Sequence, residues 1–354
     1  MRSWSIAPFA AAALAAIGGS GGAAFAEQGM RVTGPHVHAN LAVYFVHGAS
    51  AAGAVPLTLQ EALAKGEVVV VETGSVNELQ IENTGGNEVF IQAGDIVKGG
   101  KQDRVLTVSL VLPPKSGAVP IASFCVEQGR WSPRGREDHA RFTSASEAMP
   151  SRRALAIMAA PPAQGPAHIR PTGEPLPRGA DTASRQQQVW ESVAKVQSDL
   201  SARLNAHVAS PQSATSLQLS LENADLKEAR AAYIAALERR GLDEADVLGY
   251  VVAINGQTVS ANVYPSNALF RKMWSKQLAA AVTEAIGERS GSVAAEPPNA
   301  VAAREFLSAA EKGSAQERET AFSLRQETHD SDEALYNETR SASGRWLHKS
   351  YLRK

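Results

Sequence analysis

A chain of 354 residues with a formal net charge of −1 at pH 7 carries too little charge to attract nucleic acid or an anionic membrane as a whole, so any anion site has to be local. We therefore predict no nucleic-acid partner. Cys125 is the only cysteine, which excludes an intramolecular disulfide. Stability has to come from a hydrophobic core, which a chain of this length can bury.

The first 26 residues have the three parts of a signal peptide. Arg2 is their only basic residue, residues 5–18 are mostly apolar, and "AFA" at 24–26 has the small-residue pattern of a cleavage site. Pro8 and "GGSGG" interrupt the apolar run, which makes it a poor bilayer-spanning helix. We predict a periplasmic or secreted protein that is cleaved before Glu27 and has no membrane span afterwards.

Residues 37–131 form a strand-rich part. The runs "HVHANLAVYFVHG", "EVVVVE", "ELQIEN" and "EVFIQAG" predict strands, and "TGGN" marks a turn between the last two. The run "TLQEALAKG" predicts a short helix that begins after Thr58 and ends at Gly66. Two further strands, "RVLTVSLVLPP" and "AVPIASFCVEQ", are joined by a turn at "PPKSG". A mainly antiparallel sheet is expected.

The segment 132–180 is dominated by Pro, Gly, Arg, Ser and Ala, as in "AAPPAQGPAHIRPTGEPLPRG". This composition predicts an extended linker or long loop with little regular structure. Loops of this length are either disordered or lie over a functional site, and both alternatives stay open.

Helices follow the loop. Apolar residues recur at spacings of three and four over 184–206, which predicts an amphipathic helix. Further helices are predicted over 222–240, with Gly241 as the stop, over 266–286 and around 299–312.

Strands alternate with these later helices. Asn255-Gly256 between alternating apolar residues predicts a tight hairpin. "TAFSLRQET" and "GRWLHKSYLRK" predict strands, the second a solvated edge strand protected by its lysines. Without βαβ alternation, the pattern indicates an α+β fold with mainly antiparallel sheets and a few amphipathic helices packed on one side. We expect one composite domain over 27–353, with parts at 37–131, 132–180, 181–287 and 297–353.

The run "GGKQDRVLTVSLVL" begins with polar residues and then becomes apolar. Because side chains alternate along a strand, Gln102 and Arg104 share a face with the leucines that follow. A buried Arg requires a carboxylate or a ligand anion as its partner. Gly99–Gly100 allows positive φ and exposes N–H groups that could hold an anion. Either Arg104 pairs with Asp95 or Glu127 in a bulge, or it binds an anion.

The next strand ends in a second polar motif, "CVEQGRW". Cys125 and Glu127 share a face, and Arg130 and Trp131 follow the strand end. Glu127 is a candidate general base, hydroxyl or metal ligand, or partner of an arginine. Cys125 is a weaker candidate nucleophile, because no histidine lies close in sequence and a buried cysteine is commonly a small hydrophobe. Trp131 could stack on a planar ligand or cap the core.

Metal and cofactor signals are weak. His36 and His38 would share a strand face, and His47 is not far along the chain, but no cysteine or carboxylate spacing completes a metal set. The chain has no P-loop, G-x-S-x-G or H-E-x-x-H motif in a suitable context. We predict no metal and no cofactor.

Together, "GDIVKGGKQDRVL", "VLPP", "CVEQGRW", "QVWESV" and "GYVVAINGQ" resemble the ARG and rhodanese-phosphatase superfamily associated protein domain, where ARG stands for ADP-ribosylglycohydrolase. The resemblance covers roughly 37–352 and is most specific at Gly99 to Arg104 and Cys125 to Trp131. The family's name implies a role near NAD-derived or phosphorylated nucleotides. An exported protein would instead meet cell-envelope ligands such as a sugar or a protein.

We expect the two motif strands to be neighbours. Their ends would then bring three cations, Lys101, Arg104 and Arg130, close to the carboxylate of Glu127, which would suit a phosphorylated or carboxylated small ligand. If the protein is an enzyme, hydrolysis or group transfer would use Glu127 as acid and base. Two alternatives stay open: a non-catalytic envelope binding or scaffold protein in which the cluster is a structural ion network, and a thiol enzyme using Cys125. The expected ligand-binding residues are Gly99, Gly100, Lys101, Gln102, Arg104, Arg130 and Trp131.

Overall fold

The computed structural model describes residues 29–75, 77–132, 134–135, 137, 142–144, 149–160, 179–289 and 295–354. The predicted signal peptide and part of the predicted loop 132–180 lie outside the described residues. In chain order the strands are β1 (Arg31–His38), β2 (Leu41–His47), β3 (Leu57–Thr58), β4 (Val68–Glu72), β5 (Glu78–Asn83), β6 (Val89–Ile91), β7 (Ile96–Gly99), β8 (Arg104–Leu106), β9 (Leu110–Leu112), β10 (Gly117–Cys125), β11 (Phe142–Ser144), β12 (Val247–Ile254), β13 (Gln257–Val263), β14 (Ser314–Glu319), β15 (Arg325–Asp330), β16 (Ala334–Arg340) and β17 (Trp346–Arg353). The helices are α1 (Leu59–Ala64), α2 (Arg152–Ala159), α3 (Gly179–Leu204), α4 (Leu217–Leu221), α5 (Ala224–Leu242), α6 (Asn267–Gly287) and α7 (Ala300–Ala310).

Three sheets organise these strands. The largest has the order β1-β2-β12-β13-β17-β16-β15-β14, and all its neighbours are antiparallel. A six-stranded antiparallel sheet has the order β11-β7-β8-β10-β5-β4, and a small sheet has the order β3-β6-β9. Only the β3–β6 pair is parallel among the described strands. The predicted α+β fold with mainly antiparallel sheets is confirmed.

The eight-stranded sheet is buried on both faces at its centre. Along β2, Leu41, Val43 and Phe45 pack in the core beneath α6, while Ala42, Tyr44 and Val46 pack in a second core beneath α7. An apolar run of this kind lacks strict alternation because neither face meets water. Helices therefore lie on both sides of this sheet, with α7 opposite α6, rather than all on one side.

Local signals are confirmed at several element ends. The first helix begins at a capping box, in which Glu61 N donates to Thr58 Oγ1 and Thr58 N donates to Glu61 Oε2. The hairpin between β12 and β13 turns at Asn255 and Gly256, which both have positive φ, as a type I′ turn requires.

Gly241 does not end α5, which continues to Leu242. Its role is to admit a neighbouring side chain: a Cβ at position 241 would lie 2.5 Å from Nε1 of Trp274 in α6. The predicted stop at Gly241 is therefore wrong, because a glycine that faces a close helix contact has the same sequence signature as one that ends a helix.

The polar-to-apolar run at 104–112 is not one strand. Its halves, β8 and β9, belong to different sheets, with 107–109 between them. The segment 132–180 also contains regular structure, since β11 and α2 fall within it. Both differences arise from tertiary pairing, which local composition does not report.

The C-terminal strand β17 lies between β13 and β16, so the prediction of a solvated edge strand is wrong. Lys349 is fully buried and reaches Glu338 at 3.5 Å, and His348 on the opposite face is also buried. The polar residues Lys349 and His348 of β17 thus face partners within the protein rather than water. Within the part of the chain that the structure describes, every helix is too short or too polar to cross a membrane.

Candidate functional site

The strands that carry the two motifs are neighbours, as predicted. β8 and β10 pair antiparallel, with Arg104 opposite Cys125. This register brings the residues after β7 and the residues after β10 to the same end of the six-stranded sheet. Sequence motifs that lie more than 20 residues apart thus meet in one cluster of side chains.

Arg104 is fully buried and its carboxylate partner is Glu72 of β4, with Nη2 3.4 Å from Oε2. Its Nη1 donates to Gln102 Oε1 at 3.2 Å and contacts the Cys125 thiol. Burial lowers the pKa of Arg104 even though Glu72 opposes the shift.

The two expected partners of Arg104 have other partners. Asp95 pairs with Lys276 of α6 at 2.6 Å, and Glu127 pairs with Arg130 at 2.7 Å. The predicted pairing of Arg104 with Asp95 or Glu127 is therefore wrong. Glu72 ends a strand that precedes the motif by about 30 residues, so alternation along the motif could not identify it.

Asp103 and Glu127 are fully buried and share two arginines. Arg134 Nη2 lies 2.6 Å from Asp103 Oδ1, and its Nη1 lies 3.3 Å from Glu127 Oε1. Arg130 bridges the same two carboxylates, at 2.7 Å from Glu127 and 3.6 Å from Asp103. Burial would lower the pKa of Arg134, but its bonds to Asp103 outweigh that effect and raise the pKa. We call Glu72, Asp103, Arg104, Glu127, Arg130 and Arg134 the ion cluster.

The backbone N–H groups of the glycine loop already bind carboxylates of the protein. Gly99 N donates to Asp103 Oδ1 at 3.0 Å, Lys101 N to Glu72 Oε1 at 2.9 Å, and Asp103 N to Glu127 Oε2 at 3.1 Å. Gly100 has φ +54, and a Cβ there would lie 2.4 Å from the ring of Phe142. The expected anion-holding loop exists, and internal carboxylates fill it.

Two helices attach to the same cluster. Gln186 of α3 is bonded to both backbone groups of Cys125, accepting from its N at 2.9 Å and donating to its O at 2.8 Å. Ser216, the N-cap of α4, donates to Asp103 Oδ2 at 2.8 Å. Sequence reasoning missed Glu72, Asp103, Arg134, Gln186 and Ser216, and the only local signal was the charged "SPRGRED" that follows the second motif.

Two of the predicted residues remain at the surface. Trp131 is 53% exposed, so it does not cap the core, and Lys101 Nζ lies 5.9 Å from the centre of its ring. Arg130 lies just beneath, donating to the carbonyls of Gly99 and Gly100. Cys125, in contrast, is fully buried against Arg104.

A second polar region lies on the face of the eight-stranded sheet opposite α7. Asn262 of β13, Ser350 of β17 and Asn337 of β16 are in register, so their side chains form a row across three strands. His348 and Thr339 pair in a parallel row. Together with α2 and α6 these side chains line a cavity of about 70 Å³. We call this cavity the sheet cleft.

A group of charged side chains lies at one side of the sheet cleft. At this side a second cavity of about 230 Å³ adjoins the cleft. Arg152 of α2 lies 2.9 Å from both Glu284 of α6 and Glu288, the residue that follows this helix. Burial raises the pKa of Glu284 to about 7, although Arg152 opposes the shift. Sequence reasoning missed this region because its polar residues alternate within runs that read as ordinary strands.

The histidines considered for a metal lie apart. His36 packs on Phe45 and His38 on Tyr233, with ring centres 5.3 and 4.7 Å apart. His47 lies 2.9 Å from Asp246 and 3.7 Å from Glu244, a grouping of possible metal ligands. Arg31 pairs with the same two carboxylates, so a cation of the protein already offsets one of their two negative charges.

The antiparallel sheets, helices on both faces and motif cluster define an α+β protein with a buried charged centre. The chain belongs to the ARG and Rhodanese-Phosphatase-superfamily-associated Protein domain family, whose model matches residues 29–352. The resemblance seen in the motifs is thereby confirmed. No curated protein matches the chain, and no solved structure does either.

Proposed function

We propose that the protein is an exported, non-catalytic binding protein of the cell envelope in which the ion cluster is a structural network. The observation that carries this proposal is the pairing within the cluster. Each of its three arginines lies within 3.4 Å of one of its three carboxylates. Glu137 also pairs with Arg134, at 3.0 Å, so among the described residues three arginines face four carboxylates. A phosphorylated or carboxylated ligand would have to displace a carboxylate of the protein.

The cluster joins parts of the chain that are distant in sequence. It bonds the end of β4, the loop after β7 and the end of β10 to α3 and α4. Removing one partner of a buried ion pair leaves an uncompensated charge and costs about 3–5 kcal/mol. An exposed pair contributes about 0–1 kcal/mol.

Stability measurements test the structural role. We expect Asp103→Asn to lower the free energy of unfolding by several kcal/mol, because Arg134 loses its closest carboxylate. The matched control is Asp199→Asn, which removes the exposed partner of Lys195. A variant Asp103→Asn as stable as this control would overturn the structural role.

Export is tested by cell fractionation and N-terminal sequencing of the full-length gene product carrying a C-terminal tag. We expect a periplasmic or secreted chain that begins at Glu27. Recovery of the uncleaved chain in the cytoplasm would contradict the proposal.

A second candidate function is binding of a phosphorylated or carboxylated small ligand, with hydrolysis or transfer by Glu127. The site would be the surface beside the ion cluster that Lys101 and Trp131 form, which we call the rim of the ion cluster. Two observations favour it. Lys101 and Trp131 sit together at the surface. Beneath them, the Nε–H groups of Arg104 and Arg130 have no acceptor among the described residues. For this function, Trp131→Ala would abolish ligand binding and leave stability unchanged. The third alternative, a thiol enzyme, would require a substrate to reach Cys125, which is fully buried.

A further inference from the structure

The sheet cleft contains a directed chain of hydrogen bonds. Asn262 Oδ1 can only accept, so His348 Nε2 carries the proton and donates to it at 3.1 Å. His348 Nδ1 then accepts from Ser109, 3.0 Å away, whose hydroxyl accepts from a backbone N–H. On the other side, Asn262 Nδ2 donates to Tyr250 and Tyr250 to Gln277, both at 2.7 Å. This chain is complete within the protein and holds the histidine neutral.

Beside this satisfied chain, the cleft has hydroxyls with no partner. The side chains of Ser260, Thr339 and Ser350 line the cavity and make no hydrogen bond to another described residue. Asn337 accepts from Thr328 at 2.8 Å, and its amide N–H groups have no acceptor in the described part of the chain. These polar atoms are not among the fully buried atoms that lack a partner, so they face the accessible space of the cleft, where polar atoms of a ligand or water can bond them.

The wall across from the sheet is apolar. Leu155 and Met158 of α2 and Ala281 of α6 line it. A ligand in the cleft would therefore face hydroxyl and amide groups on one side and hydrocarbon on the other. A sugar ring has this division, because its hydroxyls lie at the edge and its C–H bonds cover the faces.

Among the described residues, the charges around the cleft disfavour an ionic ligand. Burial lowers the pKa of His348 to about 3, so its ring is neutral at neutral pH. Arg152 already has two carboxylate partners, Glu284 and Glu288, both at 2.9 Å. A buried ligand charge would have no counter-charge on the sheet wall, and desolvating it would cost several kcal/mol.

We propose that the sheet cleft binds an uncharged, hydroxyl-rich small molecule of about monosaccharide size, held by Ser260, Asn337, Thr339 and Ser350. This inference rests on the proposed role as a binding protein and names its site and ligand class. The cleft alone, at about 70 Å³, has room for only about two water molecules, so a monosaccharide bound there would also occupy the adjoining cavity of about 230 Å³ beyond Arg152.

Calorimetric titration of the mature protein tests the inference. The neutral probes are glucose, galactose, mannose, N-acetylglucosamine and inositol, and the charged probes are glucose 6-phosphate and glucuronate. We expect at least one neutral probe to bind, with an affinity well above that of either charged probe. Thr339→Val keeps the side-chain shape and removes one hydroxyl, which should weaken binding about two- to tenfold. Ser350→Val also fills the cleft and should abolish binding.

The matched control is Thr143→Val on β11, which lies in the other sheet and should bind like the wild type. Because the hydroxyl of Thr339 has no partner, Thr339→Val should fold with unchanged stability. Failure of every neutral probe to bind would overturn the inference, as would binding that both cleft variants leave unchanged.

Failure of the cleft inference and failure of the proposed function give different results in these experiments. If glucose 6-phosphate binds, Trp131→Ala abolishes that binding and Ser350→Val does not, then the rim of the ion cluster is the ligand site. That result overturns the cleft inference and favours the second candidate function, while the stability of Asp103→Asn decides the structural role of the cluster separately. If cleft binding fails while Asp103→Asn is strongly destabilised, the structural role stands and only the cleft inference falls.

Discussion

Acid should destabilise the protein through His348. This side chain is fully desolvated between Ser109 and Asn262, and burial lowers its pKa from 6.5 to about 3. The unfolded chain therefore binds one more proton than the folded chain between about pH 3 and 6.5, and stability is lost as pH falls through this window. The loss amounts to about 2 kcal/mol at pH 5 and approaches about 5 kcal/mol below pH 3.

Urea unfolding of the wild type and His348→Gln at pH 7.5, 6 and 5 isolates this contribution, because the other titrating groups cancel in the difference. At pH 7.5 the variant should be less stable, since the glutamine replaces the ring imperfectly. The gap should shrink by about 2 kcal/mol at pH 5. His207→Gln changes an exposed histidine and should follow the wild type. A gap between wild type and His348→Gln that is the same at all three pH values would refute the reasoning.

Three further predictions use other buried positions. Burial raises the pKa of Glu284 from 4.5 to about 7, so the folded state holds the extra proton and this contribution to stability is lost as pH rises through 7. Glu284→Gln should therefore be more stable than the wild type at pH 8, by up to about 3 kcal/mol, and this advantage should vanish below pH 4.5. An equal difference in the free energy of unfolding at both pH values would contradict the prediction. Gly241→Ala should lower the free energy of unfolding by about 1–3 kcal/mol because its Cβ meets Trp274. The control is Gly287→Ala, whose Cβ would be 3.8 Å from its nearest neighbour and should leave the stability unchanged. Equal thermal stability of the two variants would contradict the explanation. Cys125 is fully buried, so a thiol reagent should modify the native protein only as fast as it opens, and rapid modification without denaturant would revive the thiol enzyme.

Much of the fold could be predicted because its signals are local. The capping box at Thr58, the Asn255-Gly256 turn and the helical periodicity over 184–206 each depend on residues within a few positions of one another. The failures share another cause. Gly241 and the C-terminal strand β17 were misjudged because their roles depend on Trp274 and on the strands β13 and β16, which lie far away in the sequence.

The candidate site shows the same division. Alternation along a strand correctly indicated that Arg104 is buried and needs a partner, and the pairing of β8 with β10 brought both motifs together as expected. The partner itself, Glu72, lies on a strand that no local pattern connects to Arg104. Strict alternation from Arg104 would place Asp103 on the face opposite the leucines, but the chain bends at Gly99 and Gly100, both with positive φ, and Asp103 is fully buried in the ion cluster.

The sequence by itself determined the family, the α+β class, the helix caps and hairpin, and the burial of Arg104, because propensity and periodicity act over a few residues. Only the tertiary structure decided which carboxylate faces which arginine, and that Lys349 and His348 lie inside a sheet rather than at its edge. It also decided that hydroxyls from β13, β16 and β17 line one cleft. The physical reason is that a buried polar side chain is stable only with a partner, and the partners in this chain come from elements far apart in sequence.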